Sequence, residues 1–299
     1  MDNSKLKNRP PFPFETIAAA IAFSPRLESV LCEARRLSEL FRAKLILVHV
    51  GARTDKKESE LNEILSRLKF DKENFKIFWE EGSPVDSILR VCKDNVVDLL
   101  LAGAVEKENV FRYYIGSVSR EICRRAKCSV LILTEPSVEG TLFRKLVVNG
   151  AEHPKTRHTL ATSLYFARCE KAEVVHVVRE FHPPGLAMSN AESSTESEKV
   201  REEWMEEETL KISDLLAKMD TSGIAKALPC TVFGKTGFAI SNFAKENKAD
   251  LLVVNSPDHH LTILDRLFTH DIEFILAELP CNVLIVHSRV EEETKRISY

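Results

Sequence analysis

The sequence predicts two consecutive α/β domains, each a five-stranded parallel sheet with helices on both faces, and three observations carry that prediction. The 299 residues exceed the size of one ordinary domain. Short apolar runs alternate with longer amphipathic segments, which is the pattern of βαβ units feeding a parallel sheet. That pattern then occurs a second time along the chain.

The repeat is visible in three places. Val48-His49-Val50 is echoed 127 residues later by Val175-His176-Val177. Val97-Asp98-Leu99-Leu100 returns 152 residues later as Ala249-Asp250-Leu251-Leu252. Lys127-Cys128-Ser129-Val130-Leu131-Ile132 returns 153 residues later as Pro280-Cys281-Asn282-Val283-Leu284-Ile285. The jump from 127 to 152 predicts 25 extra residues in the second copy, between its second and third strands.

In the first copy the strands fall at 16–23, 44–50, 75–79, 97–103 and 129–133, with helices at 28–41, 56–68, 84–95 and 117–126. In the second copy the strands fall at 145–151, 173–178, 227–233, 250–255 and 282–287. The turn-rich joint Pro136-Ser137-Val138-Glu139-Gly140 divides the chain into domains 1–139 and 140–299. The insertion, at about 179–205, opens with His182-Pro183-Pro184-Gly185 and a Ser/Glu-rich stretch that reads as disordered. Residues 201–219 read as a lengthened second helix with an acidic, solvated face, carrying Trp204, Leu210, Leu215 and Leu216 at helical spacing.

Composition narrows the function classes. Hydrophobic residues at 44% and charged residues at 29% describe a globular chain, and a net charge of −3 supplies no broad positive field for nucleic acid or anionic lipid. Seven cysteines, an odd number lying mostly in apolar segments, read as reduced thiols in the cytoplasm. Cys123 and Cys128 lack the spacing of a metal site. Lys5, Lys7 and Arg9 imitate the start of a signal peptide, but three prolines intervene before the apolar Ile17 to Phe23 and that stretch is short, so it reads as the first strand. No uncharged apolar run reaches membrane-spanning length.

In an open parallel sheet, ligands sit beyond the carboxyl ends of the strands, where strand order reverses. In the first copy that place holds Gly103, a loop over 104–115, and Gly116-Ser117-Val118-Ser119 opening a helix. This is an anion cradle in outline: glycine admits close backbone approach, first-turn N–H groups point outward, and Ser117 and Ser119 can donate hydroxyl hydrogen bonds. Ser117 reads equally as an ordinary helix cap.

These features resemble the universal stress protein family over nearly the whole chain, twice. Its domains similarly have a second strand ending His-Val, a Gly-x-Pro before the third helix (here Gly82-Ser83-Pro84) and Asp-Leu (Asp98-Leu99) before glycine. Nucleotide-binding members carry Gly-x2-Gly-x9-Gly-Ser/Thr, matched by Gly103, Glu106 and Gly116-Ser117 with the second glycine replaced. Arg112 is a candidate to relieve the charge of Glu106. The family's first-strand Asp-Gly-Ser is Ala22-Phe23-Ser24 here, and Ala151-Glu152-His153 in the second copy, where Asn255, Asp258 and Phe268-Thr269 stand in place of the glycine motif.

The resemblance implies two Rossmann-like domains and nucleotide contacts from Val50, Gly103, Gly116, Ser117, Val118 and Ser119. It implies ATP in the first domain, with Mg²⁺ only alongside nucleotide, and no metal of the protein's own. It also implies that the fifth strands of the two domains pair within the chain. A homodimer and an unidentified regulatory protein partner are open, with no nucleic acid and no membrane. The function expected is a stress-response regulator, or alternatively a nucleotide-free scaffold acting through dimerisation, and not an enzyme.

Three decoys are set aside. Phe233-Gly234-Lys235-Thr236 ends like a phosphate-binding loop, yet Pro229 stands where its first glycine belongs and 228–233 reads as strand. His259, His260, His270 and Asp271 could gather a metal, but adjacent histidines point apart in an extended loop. Neither a Ser-His-Asp order nor an H-E-x-x-H occurs.

Overall fold

A computed structural model describes residues 12–71, 73–106, 113–181, 195–257 and 266–288. In the first half it contains β1 (Thr16–Ala20), α1 (Leu27–Phe41), β2 (Lys44–Val50), α2 (Asp55–Arg67), β3 (Phe75–Glu80), α3 (Pro84–Asp94) and β4 (Leu99–Gly103). A short hairpin of β5 (Val105–Glu106) and β6 (Tyr113–Tyr114) follows, then α4 (Ser117–Arg125) and β7 (Ser129–Leu133). The second half holds β8 (Lys145–Asn149), α5 (Thr156–Glu170), β9 (Val174–Phe181), α6 (Thr195–Ala217), β10 (Ala227–Phe233), α7 (Phe238–Glu246), β11 (Leu251–Asn255), α8 (Arg266–Ala277) and β12 (Asn282–Val286).

Ten strands form one sheet in the order β10-β9-β8-β11-β12-β7-β4-β1-β2-β3. Every pairing in it is parallel except β12 with β7, where Leu284 faces Leu131. The fifth strands therefore do pair, antiparallel, about a pseudo-two-fold axis, and each covers the edge that the other would leave open. Near this seam Thr134 donates its N–H to Asn282 Oδ1 (3.0 Å), and His287 donates its own to Ser129 Oγ (3.2 Å).

The strands read as continuous apolar runs because both faces are covered. Leu99 and Leu101 pack toward α1 and α2, whereas Leu100 and Ala102 pack toward α3 and α4. Each of the two cores runs through both domains. The recurring Asp-Leu pair also has a structural cause. Asp98 Oδ2 accepts the N–H groups of Glu15 (2.8 Å) and Thr16 (2.9 Å), and Asp250 Oδ2 does the same for Arg144 and Lys145 (both 2.8 Å).

The joint between the domains is pinned. Glu33, fully buried on α1, accepts from Thr141 N and from Arg36 Nε (3.0 Å), and Arg36 Nη1 reaches Glu170 Oε1 on α5 (2.8 Å). Gly140, at φ +85°, permits this: a Cβ there would lie 2.7 Å from Arg36 Cδ.

Several expectations need correction. The first strand of each copy ends three and two residues early, at Ala20 and Asn149, where the chain turns toward its first helix. The Val-His-Val match is out of register. Ala20 pairs with Val48 and Asn149 with Val178, so Val48-His49-Val50 corresponds to Val178-Arg179-Glu180. The offset is then 130, and the extra chain in the second copy is 152 minus 130, or 22 residues rather than 25. β9 runs through Phe181, and α6 begins at Thr195, six residues before the helix expected at 201. Residues 182–194, read as disordered from sequence, lie outside the described residues. On α6 Ile212 and Leu216 are buried in the core and Leu215 packs against it, whereas Trp204 and Leu210 are 39% and 59% exposed.

Candidate functional site

Within the first domain, β1 connects to β2 on one side and β4 connects to β7 on the other, so the switch point is the crevice between the carboxyl ends of β1 and β4. Gly103 is the last residue of β4, and among the described residues a Cβ built on it meets nothing within 4 Å. Gly116 is the N-cap of α4 at φ −65°, a conformation open to any residue, and no side chain caps the helix. Ser117 is the first helical residue and exposed, so the capping reading is corrected. Val118 beside it is 37% exposed. Ser119 turns back and donates to Gly103 O (3.1 Å), which fixes the first turn of α4 against the end of β4.

Gly103 and Gly116 through Ser119 are thus brought together. Val50 is not with them: it ends β2, two strands from β4, or about 10 Å at normal strand spacing, and packs into the core under α3. The 104–115 loop contains the β5–β6 hairpin, while Arg112 and the side chain of Glu106 lie outside the described residues.

Sequence reasoning missed three residues here. His49 is buried, with Nδ1 3.1 Å from Ile21 O and Nε2 3.3 Å from Lys57 Nζ. Burial pushes its pKa down, against the carbonyl bond, and Lys57 pushes it further. A neutral ring donating from Nδ1 satisfies both contacts. Phe23, which follows the position of the family's Asp, packs its ring edge-to-face on His49 (4.8 Å) and stacks near Trp79 (5.9 Å). Arg26, the N-cap residue of α1, reaches across the crevice and donates to Ala104 O (2.7 Å) and to Thr134 O.

The equivalent crevice in the second domain lies between β8 and β11. Asn255 stands where the first domain has Gly103, accepts from the Thr159 hydroxyl and donates to Thr156 Oγ1 (3.2 Å). The side chain fills the place that Gly103 leaves open. A cavity of ≈ 50 Å³ remains, lined by Asn149, His153, Thr236, Asn255, Ser256 and Ile272. Asp258 and the side chains of Phe268 and Thr269 lie outside the described residues.

The phosphate-loop decoy resolves physically. Residues 227–233 are strand β10, and the N-terminus of α7 already holds an anion: Glu180 accepts from Gly237 N (2.9 Å) and Ile240 N (2.8 Å). The chain satisfies that helix end itself. His259 and His260 and the side chains of His270 and Asp271 lie outside the described residues. Burial pushes the Cys123 thiol up to about 12. The neighbouring Cys128 thiol and burial raise the Cys92 pKa. No described helix is long and apolar enough to cross a membrane.

This architecture, two doubly wound domains fused edge to edge through their fifth strands, defines the class of protein. Comparison with family models finds the Universal stress protein family at residues 51–134 and again at 144–287. The chain belongs to that family. Among solved structures it resembles a protein of unknown function from Pseudomonas aeruginosa PAO1, at 16% identity and TM-score 0.66, covering 91% of this chain and 92% of that one. It also resembles a universal stress protein from Archaeoglobus fulgidus DSM 4304, at 15% identity and TM-score 0.57, covering 91% and 96%. At these identities the likeness is one of fold.

Proposed function

We propose that this universal stress protein is a regulator whose first domain binds ATP, with Mg²⁺ accompanying the nucleotide, and whose second domain has given up its crevice to serve as a fused structural partner. One asymmetry carries the reading. The residue ending the fourth strand is a glycine facing open space in the first domain and an asparagine hydrogen-bonded to two threonines in the second. Beside Gly103, the first turn of α4 has no side-chain cap among the described residues and presents Ser117 outward, which leaves its N–H groups and positive dipole end to a phosphate.

A second reading, a ligand-free scaffold, draws on the first-strand end, where exposed Ala22 replaces the family's Asp and Phe23 is committed to packing on His49. Isothermal titration of Mg-ATP separates the two. The Gly116→Asp variant places a carboxylate at the helix cap, where it would bond the first-turn N–H groups and repel phosphate. Micromolar binding that disappears in Gly116→Asp and weakens in Ser117→Ala supports the nucleotide reading. No heat from folded, nucleotide-free protein supports the scaffold.

A further inference from the structure

We propose that Arg26 is the residue that recognises the anionic end of the ligand in the first domain's crevice, standing in for the part of the backbone cradle lost at Glu106; this rests on the nucleotide reading above. Arg26 lies outside every motif that the resemblance brought forward.

The first observation is position. Arg26 starts on α1, above β1, and its guanidinium ends on the carbonyls of Ala104 and Thr134, above β4 and β7. The side chain therefore crosses the switch-point crevice. Gly103 O, the carbonyl one residue before Ala104, receives the Ser119 hydroxyl from the first turn of α4. The guanidinium and the Ser119 hydroxyl of the first turn of α4 thus bond the carbonyls of consecutive residues, Ala104 and Gly103.

The second observation is charge. Arg26 is half-buried, and among the described residues no carboxylate is paired with it; its two acceptors are neutral carbonyls. The guanidinium has five N–H donors, so the two carbonyl bonds leave donors and a full positive charge available. Two carbonyls hold the planar fork in place, which lowers the ordering cost of binding an anion there.

The third observation comes from the repeat. Lys155 is the N-cap of α5, as Arg26 is of α1, and donates through Nζ to Ser256 O (3.2 Å) and Pro257 O (3.3 Å). Ser256 occupies the place of Ala104, one residue past the fourth strand. The two copies differ at nearly every motif position of the crevice, yet both put a cation at this place and anchor it on the same carbonyl. In the second domain Asn255 closes the floor beneath it; in the first the floor at Gly103 is open.

The test compares ATP with adenosine, which lacks the anionic end, by isothermal titration into the full chain and into Arg26→Gln and Arg26→Lys, with folding checked by circular dichroism. In Arg26→Gln the affinity for ATP falls about 10- to 100-fold, the scale of one charged hydrogen bond, while that for adenosine stays within twofold. Arg26→Lys, which keeps the charge but loses the fork, falls about threefold to tenfold for ATP alone, and carries the test should Arg26→Gln fold poorly. Unchanged ATP affinity in these variants overturns the inference, and tighter ATP binding overturns it in favour of Arg26 as an obstruction. Failure of the wild type and both variants to bind either ATP or adenosine overturns the nucleotide reading itself.

Discussion

Arg36 holds two buried carboxylates at the joint between the domains, and replacing it by methionine is a quantitative test of how that joint is stabilised. The Glu33 and Glu170 side chains are 0% and 2% exposed, and Arg36 itself is 20% exposed. Removing the guanidinium leaves both acids buried without their charged partner, and Glu33 with the N–H of Thr141. Breaking a buried ion pair from one side costs about 3–5 kcal/mol. At about 2 °C per kcal/mol for a chain of this size, the midpoint falls by roughly 6–10 °C at pH 7.

The penalty must also depend on pH. Burial already raises the Glu170 pKa above 4.5, and the attraction and hydrogen bond of Arg36 are the main influences lowering it. Without Arg36 the folded-state value rises further. A carboxyl whose folded pKa exceeds its unfolded one favours the fold most below the unfolded value, and loses that contribution as pH rises through the folded value. The variant therefore regains stability relative to wild type on acidification from pH 7 toward 5, by up to about 1.4 kcal/mol per pH unit per proton. Glu170→Gln keeps an acceptor for Arg36 without the buried charge, so it costs less than about 1 kcal/mol at pH 7. Urea unfolding of the three proteins at pH 5, 6 and 7 provides the measurement. A cost of Arg36→Met below 1 kcal/mol, or one that is constant with pH, refutes this account.

Two further outcomes are expected. Asp98→Ala strips the acceptor from the N–H groups of Glu15 and Thr16 and should cost about 2–4 kcal/mol in urea unfolding, with Asp250→Ala costing the same at Arg144 and Lys145; equality with wild type would mean that water replaces the carboxylate. Leu131→Ala, opposite Leu284 at the pseudo-two-fold axis with both side chains fully buried, should cost about 2–5 kcal/mol and lower a single transition, because the cores are shared. Two separated transitions in calorimetry would contradict that shared core.

The strands were the most legible elements. β2, β7 and β10 occupy the residues expected; in β2 and β7, runs such as Leu45-Ile46-Leu47-Val48 are buried on both faces and leave little freedom of placement. Register was less legible. Val48-His49-Val50 matched Val175-His176-Val177 by letters, but the structural counterpart of His49 is Arg179. The substitution is chemical: His49 Nδ1 meets Ile21 O, and Arg179 Nε meets Gly150 O (3.0 Å), so two unlike side chains tie the second strand to the end of the first. Helix ends were hidden for a related reason. α1 and α5 close through left-handed Arg42 (φ 53°) and Lys171 (φ 52°), where a reader of sequence looks for glycine.

The sequence by itself determined the duplication and the parallel α/β class, because these follow from hydrophobic periodicity that recurs along the chain. Only the tertiary structure decided what occupies the crevice. Gly103 is open and Asn255 is filled because of threonines contributed by α5, and Arg26 meets Ala104 and Thr134 across sequence separations of 78 and 108. The physical reason is that local pattern is set by burial, which every residue of a run shares, whereas a polar contact between distant side chains depends on the exact fold that brings them together.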